Sequence, residues 1–413
     1  MTTTHAPPPG ITKSAQSRNL FLATLAFAIS FWAWNLIGPL AVFYAGPGEM
    51  ALSPSQKSVL IAVPILVGSL GRIVVGVMTP RYGGRVMFTG LLVLSAPFVI
   101  LVAVAGTVKS YPMMIVVGFF LGIAGTSFAA GIPFVNNWYE ANRRGFATGV
   151  FGAGMGGTAL SAFFTPRFRE WFGYFPTHII IAVALLVVAA MCWLWMRDSP
   201  EFRPNTDPAV PKLVDALKLP ITWQMSFLYA AAFGGFVAFS TYLPTYLNDV
   251  YEMTDLKSAG ARTAGFAIAA VVARPIGGAL SDRFGPRLIT AISCGGAAVL
   301  AVWMIFKPSM PWLAGADFLL MAVMMGMGAG SVFAWVAVAS PPARVGAVTG
   351  LVGAAGGLGG FFPPLVMGAT YDEAAHSYTV GLALLVAFAA VACLFTIFGI
   401  ARRPAEKAEG SAP

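Results

Sequence analysis

Two arginines, Arg72 and Arg274, each lie inside an apolar stretch, 202 positions apart (274 − 72). The stretch VLIAVPILVGSLG precedes the first and TAGFAIAAVVA the second. A guanidinium does not shed its proton in such surroundings, because its pKa stays above roughly 12. Placing one at mid-membrane costs about 2.5–3.5 kcal/mol on insertion scales, so such residues face a cavity and mark a pathway. The alternative is an arginine that snorkels to a helix end or pairs with a buried acid, but no acid is near either one in sequence. Two fixed positive charges at matching places in one chain are chemistry for holding an anion.

The elements that must position them follow from composition. The chain has 413 residues, of which 58% are hydrophobic and 10% charged, with a mean hydropathy of +0.78. A soluble domain would carry about 25% charged residues. Apolar windows, each long enough for a hydrocarbon core of roughly 30 Å, recur throughout. Twelve are expected, at about 19–44, 57–79, 86–106, 112–136, 145–165, 175–196, 221–247, 261–280, 288–306, 311–338, 345–368 and 377–400. Lipid offers no partner to backbone groups and the windows are too long for barrel strands, so they are helices. The fold class is an all-α polytopic membrane protein with twelve transmembrane helices.

Residues 1–18 are polar and Pro-rich without an apolar core, and are expected to form a disordered tail rather than a cleaved signal. Residues 19–197 make a first six-helix half, 198–220 a polar linker, 221–400 a second half and 401–413 a tail. With both termini in the cytoplasm, 16 of the 25 basic residues fall in inner segments and seven in outer loops, which fits the positive-inside rule. That placement expects a multi-pass protein of the cytoplasmic membrane, its surface facing the lipid bilayer. It also explains the net charge of +9 without nucleic acid as a partner. Cys192, Cys294 and Cys393 sit in apolar windows at unrelated spacings and imply buried thiols. The three histidines (His5, His178, His376) form no metal-ligand spacing, and no cofactor motif or clustered nucleophile points to an enzyme.

The halves repeat each other. GRIVVGVMTPRYGGR (71–85) and ARPIGGALSDRFGPR (273–287) align at an offset of 202, which superposes Arg72 on Arg274, Arg81 on Arg283, Gly83 on Gly285 and Arg85 on Arg287. At an offset of 201, GFATGVFGAGMGG (145–157) matches GAVTGLVGAAGGL (346–358), pairing Gly152 with Gly353. Two six-helix halves in pseudo-symmetric repeat, with a site between them at mid-depth, are the plan of an alternating-access transporter.

GALSDRFGPR (278–287) has the form of the loop signature of the major facilitator superfamily, and its first-half copy carries Pro80 where that family usually has Asp. More narrowly, the chain resembles the nitrate/nitrite porter family over nearly its full length. The stretches that carry the likeness are AVPILVGSLGRIVVG, GTSFAAGIPFVNNWY, LYAAAFGGF, AVVARPIGGALSDRFG and GLVGAAGGLGGFFPP. The resemblance implies nitrate and nitrite as substrates, clamped by Arg72 and Arg274. It implies a cavity lined by Phe128, Tyr229 and Phe233, with Gly152 and Gly353 in flanking glycine stretches, and a functional monomer. Plain helix packing is the other reading of the aromatics, and close helix approach the other reading of the glycines. A planar oxyanion matches the guanidinium fork, which suits arginine better than lysine. Spacing puts Tyr229, Phe233 and Phe236 on one helix face. The resemblance also implies an inner-loop latch of Asp282, Arg283 and Arg287, with Arg81 and Arg85 as first-half counterparts weakened by Pro80. One departure is Met155, which stands at or beside the family's usual Asn in the fifth window.

Of the 16 acids, all but Asp317 map to loops, tails or helix ends, and Asp317 is expected near the outer surface. Proton-driven carriers place carboxylates or histidines mid-membrane. Their lack here favours nitrate/nitrite exchange, since an empty site holding two unpaired charges reorients at high cost. Proton-coupled nitrate uptake is an alternative, as is transport of another small anion such as cyanate or a formate- or oxalate-type carboxylate.

Overall fold

The computed structural model describes residues 12–140, 143–205, 208–310, 312–341 and 344–400. Among them are twelve long helical stretches: α1 (Lys13–Tyr44), α2 (Pro54–Tyr82), α3 (Gly84–Thr107), α4 (Tyr111–Asn136), α5 (144–172), α6 (Tyr174–Trp195), α7 (Pro220–Tyr251), α8 (Leu256–Phe284), α9 (Pro286–Ile305), α10 (Trp312–Ala339), α11 (Val345–Ala369) and α12 (Thr379–Gly399). Eleven are long and apolar enough to cross a bilayer. The other is α5, which is rich in glycine and carries Arg167, Arg169 and Glu170 near its end.

Two boundaries differ from expectation. The first helix begins at Lys13 rather than after residue 18, because the Thr12 hydroxyl accepts the Ala15 N–H and caps the first turn. Tail residues 1–11 and 401–413 lie outside the described residues. The linker is not purely irregular, since Ala209–Leu217 forms a short helix.

Local chemistry sets the other helix starts. Ser53 and Gln56 make a reciprocal capping box ahead of Pro54, which opens α2. The Asp255 carboxylate accepts from the Lys257 and Ser258 N–H groups and opens α8. At the opposite ends of these two helices stand Gly83 (φ 83°) and Gly285 (φ 89°), the repeat partners that turn the chain directly into α3 and α9. A side chain is disfavoured at that backbone conformation.

The repeat is broken at the start of α3. There the Asp198 carboxylate, from just beyond α6, accepts the Gly84 N–H at 2.6 Å and lies 3.4 Å from the Arg85 N–H. Burial raises this carboxyl above the usual range, while the two backbone N–H groups oppose the shift. Asp198 thus supplies a carboxylate cap beside the last turn of α2, where Pro80 replaces the motif's Asp. Asp198→Ala is expected to cost about 1–2 kcal/mol as a lost helix cap. The check is the thermal-unfolding midpoint of the detergent-purified protein, which should fall by a few degrees.

α1–α6 pack as one group and α7–α12 as another, and the groups meet along α2 with α11, α5 with α8, and α1 with α7. Small residues allow this approach: Gly260 faces the Ala162 backbone, Gly38 the Thr241 backbone and Gly368 the Ser58 side chain.

Candidate anion-binding site

Each arginine lies 18 residues after the first residue of a 29-residue helix, so equivalent turns of α2 and α8 carry them to the junction of the two groups. Arg72 is 1% exposed, and Arg274 is half-buried. The Arg72 Nε donates to the Gly125 carbonyl at 3.3 Å and its Nη1 to the Gly353 carbonyl at 3.0 Å, while Nη2 is buried without a partner. Arg274 directs Nη2 to the Tyr229 hydroxyl at 3.1 Å and Nη1 to the Met155 sulfur at 2.6 Å.

Two rings are shared by both charges. The Arg72 guanidinium carbon stands 5.4 Å from the Phe128 centroid and 5.3 Å from that of Phe233. For Arg274 the same distances are 5.6 and 5.8 Å, and Phe333 adds a third ring at 5.4 Å. Ring faces carry partial negative charge, so they stabilise the cations without a carboxylate to neutralise them. Phe128 is fixed by Phe27 and Phe151, with centroids at 5.6 and 6.2 Å. Tyr229 and Phe233 stack in parallel at 4.9 Å, and Phe333 meets Tyr229 edge-on at 4.6 Å.

Three of the contributing helices leave α geometry at the site. A 3-10 turn at Gly122–Thr126 in α4 precedes Phe128 and includes the carbonyl of Gly125. Another at Ala153–Gly156 in α5 carries Met155. A π turn at Ala230–Gly234 in α7 lies between Tyr229 and Gly235 and includes Phe233. Such local rewinding re-aims side chains and carbonyls and is frequent at functional sites.

The structure brings Arg72, Arg274, Phe128, Tyr229, Phe233 and Gly353 together. Gly353 contributes its carbonyl, and a methyl group there would only touch Phe128 at 3.7 Å. A methyl at Gly152 would meet nothing within 4 Å, so no close contact at that position calls for glycine. The crowded glycines are their neighbours on α11. A methyl on Gly356 would enter the Tyr229 ring, and one on Gly357 would enter the Ser69 side chain, 3.2 Å from Arg72 Nη1. Sequence reasoning missed Phe333, Gly356 and Gly357. The last two lie in the run GLVGAAGGLGG, but nothing in that run tells which glycine touches the pocket.

The residues expected to form an inner-loop latch are not joined to one another by a hydrogen bond or ion pair among the described residues. Asp282 and Arg283 are exposed, and the Asp282 side chain makes no hydrogen bond or ion pair among the described residues. Arg287 instead donates to the Ile397 carbonyl within its own group, and Arg85 donates to the Trp193 carbonyl in the other. Arg81 and Arg283 lie over the neighbouring Tyr82 and Phe284 rings. Both loops therefore fold back on their own halves. The structure adds the burial of Asp317. It stands in the second turn of α10, as its place near Pro311 suggested, yet is 3% exposed there with both carboxyl oxygens unpartnered.

The profile of the Major Facilitator Superfamily matches residues 21–364 and 255–413. The chain is 57% identical to the probable nitrate/nitrite transporter NarK2 of Mycobacterium tuberculosis, over 92% of this chain and 96% of that one. It is 36% identical to the probable nitrate/nitrite antiporter NarK1 of Thermus thermophilus, over 84% of each. Identity to the nitrite extrusion protein of Bacillus subtilis is 32%, over 90% and 91%. The fold resembles the crystal structure of the D-xylose–proton symporter, with a TM-score of 0.73, 14% identity and coverage of 93% and 98%. It also resembles a bacterial homologue of the human lysosomal transporter Spinster, with a TM-score of 0.71, 18% identity and coverage of 94% and 97%. Matched along almost its whole length in sequence and in fold, the chain belongs to the major facilitator superfamily and, within it, to the nitrate/nitrite porter family.

Proposed function

We propose that the protein moves nitrate and nitrite across the cytoplasmic membrane by alternating access, exchanging one for the other, as a monomer with both termini in the cytoplasm. The observation that carries this reading is the pair of guanidiniums, one buried and one half-buried, at the junction of two helical groups, with no carboxylate among the described residues paired to either. Their partners are carbonyls, a hydroxyl, a thioether and ring faces, none of which cancels a full charge. A planar oxyanion would supply both the charge and the acceptors. The unpartnered Arg72 Nη2 offers it a donor, and the Tyr229 hydroxyl, which accepts from Arg274, keeps its own proton to donate.

Exchange follows from the cost of the empty site. Two uncompensated charges in low dielectric oppose the closed intermediate through which the halves must rock, and a bound anion relieves that opposition. Loading proteoliposomes with nitrite should therefore raise nitrate uptake by at least about tenfold, the factor that 1.4 kcal/mol of barrier supplies. A proton ionophore should leave the rate unchanged. The buried Asp317 favours a second reading, proton-coupled uptake. Nitrate entry that needs a pH gradient and ignores internal nitrite would establish that reading and sink exchange.

A further inference from the structure

The arginine-bearing loops mark one end of the molecule, and a separate polar network joins the two halves at the other end. Lys57, in the first turn of α2, places its ammonium 2.8 and 2.9 Å from the two oxygens of Asp249, near the end of α7. Both side chains are under 10% exposed. Tyr378, just ahead of α12, donates to the same carboxylate at 2.5 Å. Its hydroxyl meets that of Tyr242 at 3.1 Å, which in turn meets the Ser58 hydroxyl at 2.8 Å. Tyr371 donates to the Asp249 backbone carbonyl at 3.3 Å, and Ser55 donates to the Gly368 carbonyl at 3.3 Å. Burial, with the neighbouring Tyr242 and Asp249, pushes the Tyr378 hydroxyl above its ordinary range, so it remains a donor.

Every link from Lys57, Ser58 and Ser55 to this network crosses from one half to the other. The ion pairs between described residues of the two halves, Lys57–Asp249 and the exposed Lys257–Glu170, both lie at this end. The loops at the opposite end fold back on their own halves, as described above.

We propose that Lys57 and Asp249, with Tyr378 and Tyr242, form the outer latch of the transport cycle, which must be broken and hydrated each time the anion site opens outward. A buried pair holds firmly only while water is kept out, because each charge separately is well solvated. Its two charges come from different halves, so the halves cannot part at this end without parting them. Each is also unusable alone: removing one leaves the other buried and uncompensated, and the shortest relief is for that charge to reach water by opening the seam. The resting carrier would then present its site to the cytoplasm and load its first anion there.

This inference rests on the alternating-access reading, and its test reads the spacing of the halves rather than anion movement, so the two fail separately. Nitroxides placed at the exposed Lys109 and Lys307, one on each half at this end, would report opening by double electron–electron resonance. Asp249→Asn is expected to raise the widely spaced population about tenfold. The exchange Lys57→Asp/Asp249→Lys should restore most of the narrow population. The apolar pair Lys57→Met/Asp249→Leu should keep the seam closed and slow transport, which covers the case of a swapped protein that fails to fold. A distance distribution in Asp249→Asn identical to that of the native protein would overturn the latch. So would an apolar pair as widely spaced as the single variant.

Discussion

Arg72→Gln and Arg274→Gln are each expected to abolish nitrate and nitrite transport in proteoliposomes while leaving the purified protein folded. A charge-assisted hydrogen bond is worth about 1.5–3 kcal/mol. Loss of one arginine's share of the anion therefore weakens binding by roughly 10- to 150-fold, before any effect on the rocking step. Stability should move little, or upward. In the absence of an anion each guanidinium is a wholly or partly buried charge with no carboxylate partner among the described residues, and removing such a charge relieves a desolvation cost. Arg72 gives the sharper result because it is fully buried and tied to Gly125 and Gly353. Arg72→Lys keeps the charge but loses the fork that reaches two carbonyls and an anion together, so it should fall far short of native transport. Binding isotherms for nitrate and nitrite, run beside thermal unfolding of each variant, separate the two effects. Full activity in Arg274→Gln would overturn the site.

Gly356→Ala should be nearly as damaging as loss of an arginine, whereas Gly353→Ala and Gly152→Ala should be mild. The new methyl at Gly356 falls inside the Tyr229 ring, which is fully buried and stacked on Phe233. Either the ring leaves Arg274 or α11 moves off α7. Overpacking of this kind costs about 1–3 kcal/mol in stability. The functional loss should exceed that, because the displaced Tyr229 hydroxyl is a direct partner of Arg274. At Gly353 and Gly152 a methyl meets ordinary contact or open space, so uptake should stay within about threefold of native, under 1 kcal/mol on the affinity scale. Equal losses at all three positions, measured as initial uptake rates, would show that the glycines act through helix flexibility rather than through contact with Tyr229.

The contrast between these glycines shows how far residue order reaches. Runs such as GLVGAAGGLGG announce close helix approach, because only small residues permit it. They do not say which glycine meets a ring, since that depends on how α11 is rotated against α7. The family's pattern pointed to Gly353, and the structure uses that residue for its carbonyl. The same gap explains Phe333, and it explains why Met155, singled out in the sequence only as a departure from the family's Asn, could not be given its partner. Each is one apolar residue among many in its own helix, and only the packing of α10 and the 3-10 turn in α5 set them against Arg274. The turn in α5 also means that Met155 does not leave the fifth helix without a partner for the site. A thioether takes the arginine's N–H as a weak acceptor, where an amide could also have donated to the anion.

What the sequence determined by itself was everything that apolar length, charge and repetition encode. The windows set the helices, because lipid leaves the backbone no other partner. The basic loops give an expectation for the orientation. The offset of 202 made Arg72 and Arg274 symmetry mates, and a guanidinium deep in an apolar helix has to face a cavity or a counter-charge. The tertiary structure decided which polar groups leave water together. Lys57 and Asp249 are 192 residues apart and each reads as an ordinary helix-end charge, yet they meet in a dry seam between the halves. Asp317 reads as a residue near a helix end, and the packing around that end buries it without a partner. Desolvation belongs to the assembled interface rather than to any local stretch of chain, so no periodicity or motif could have placed these charges.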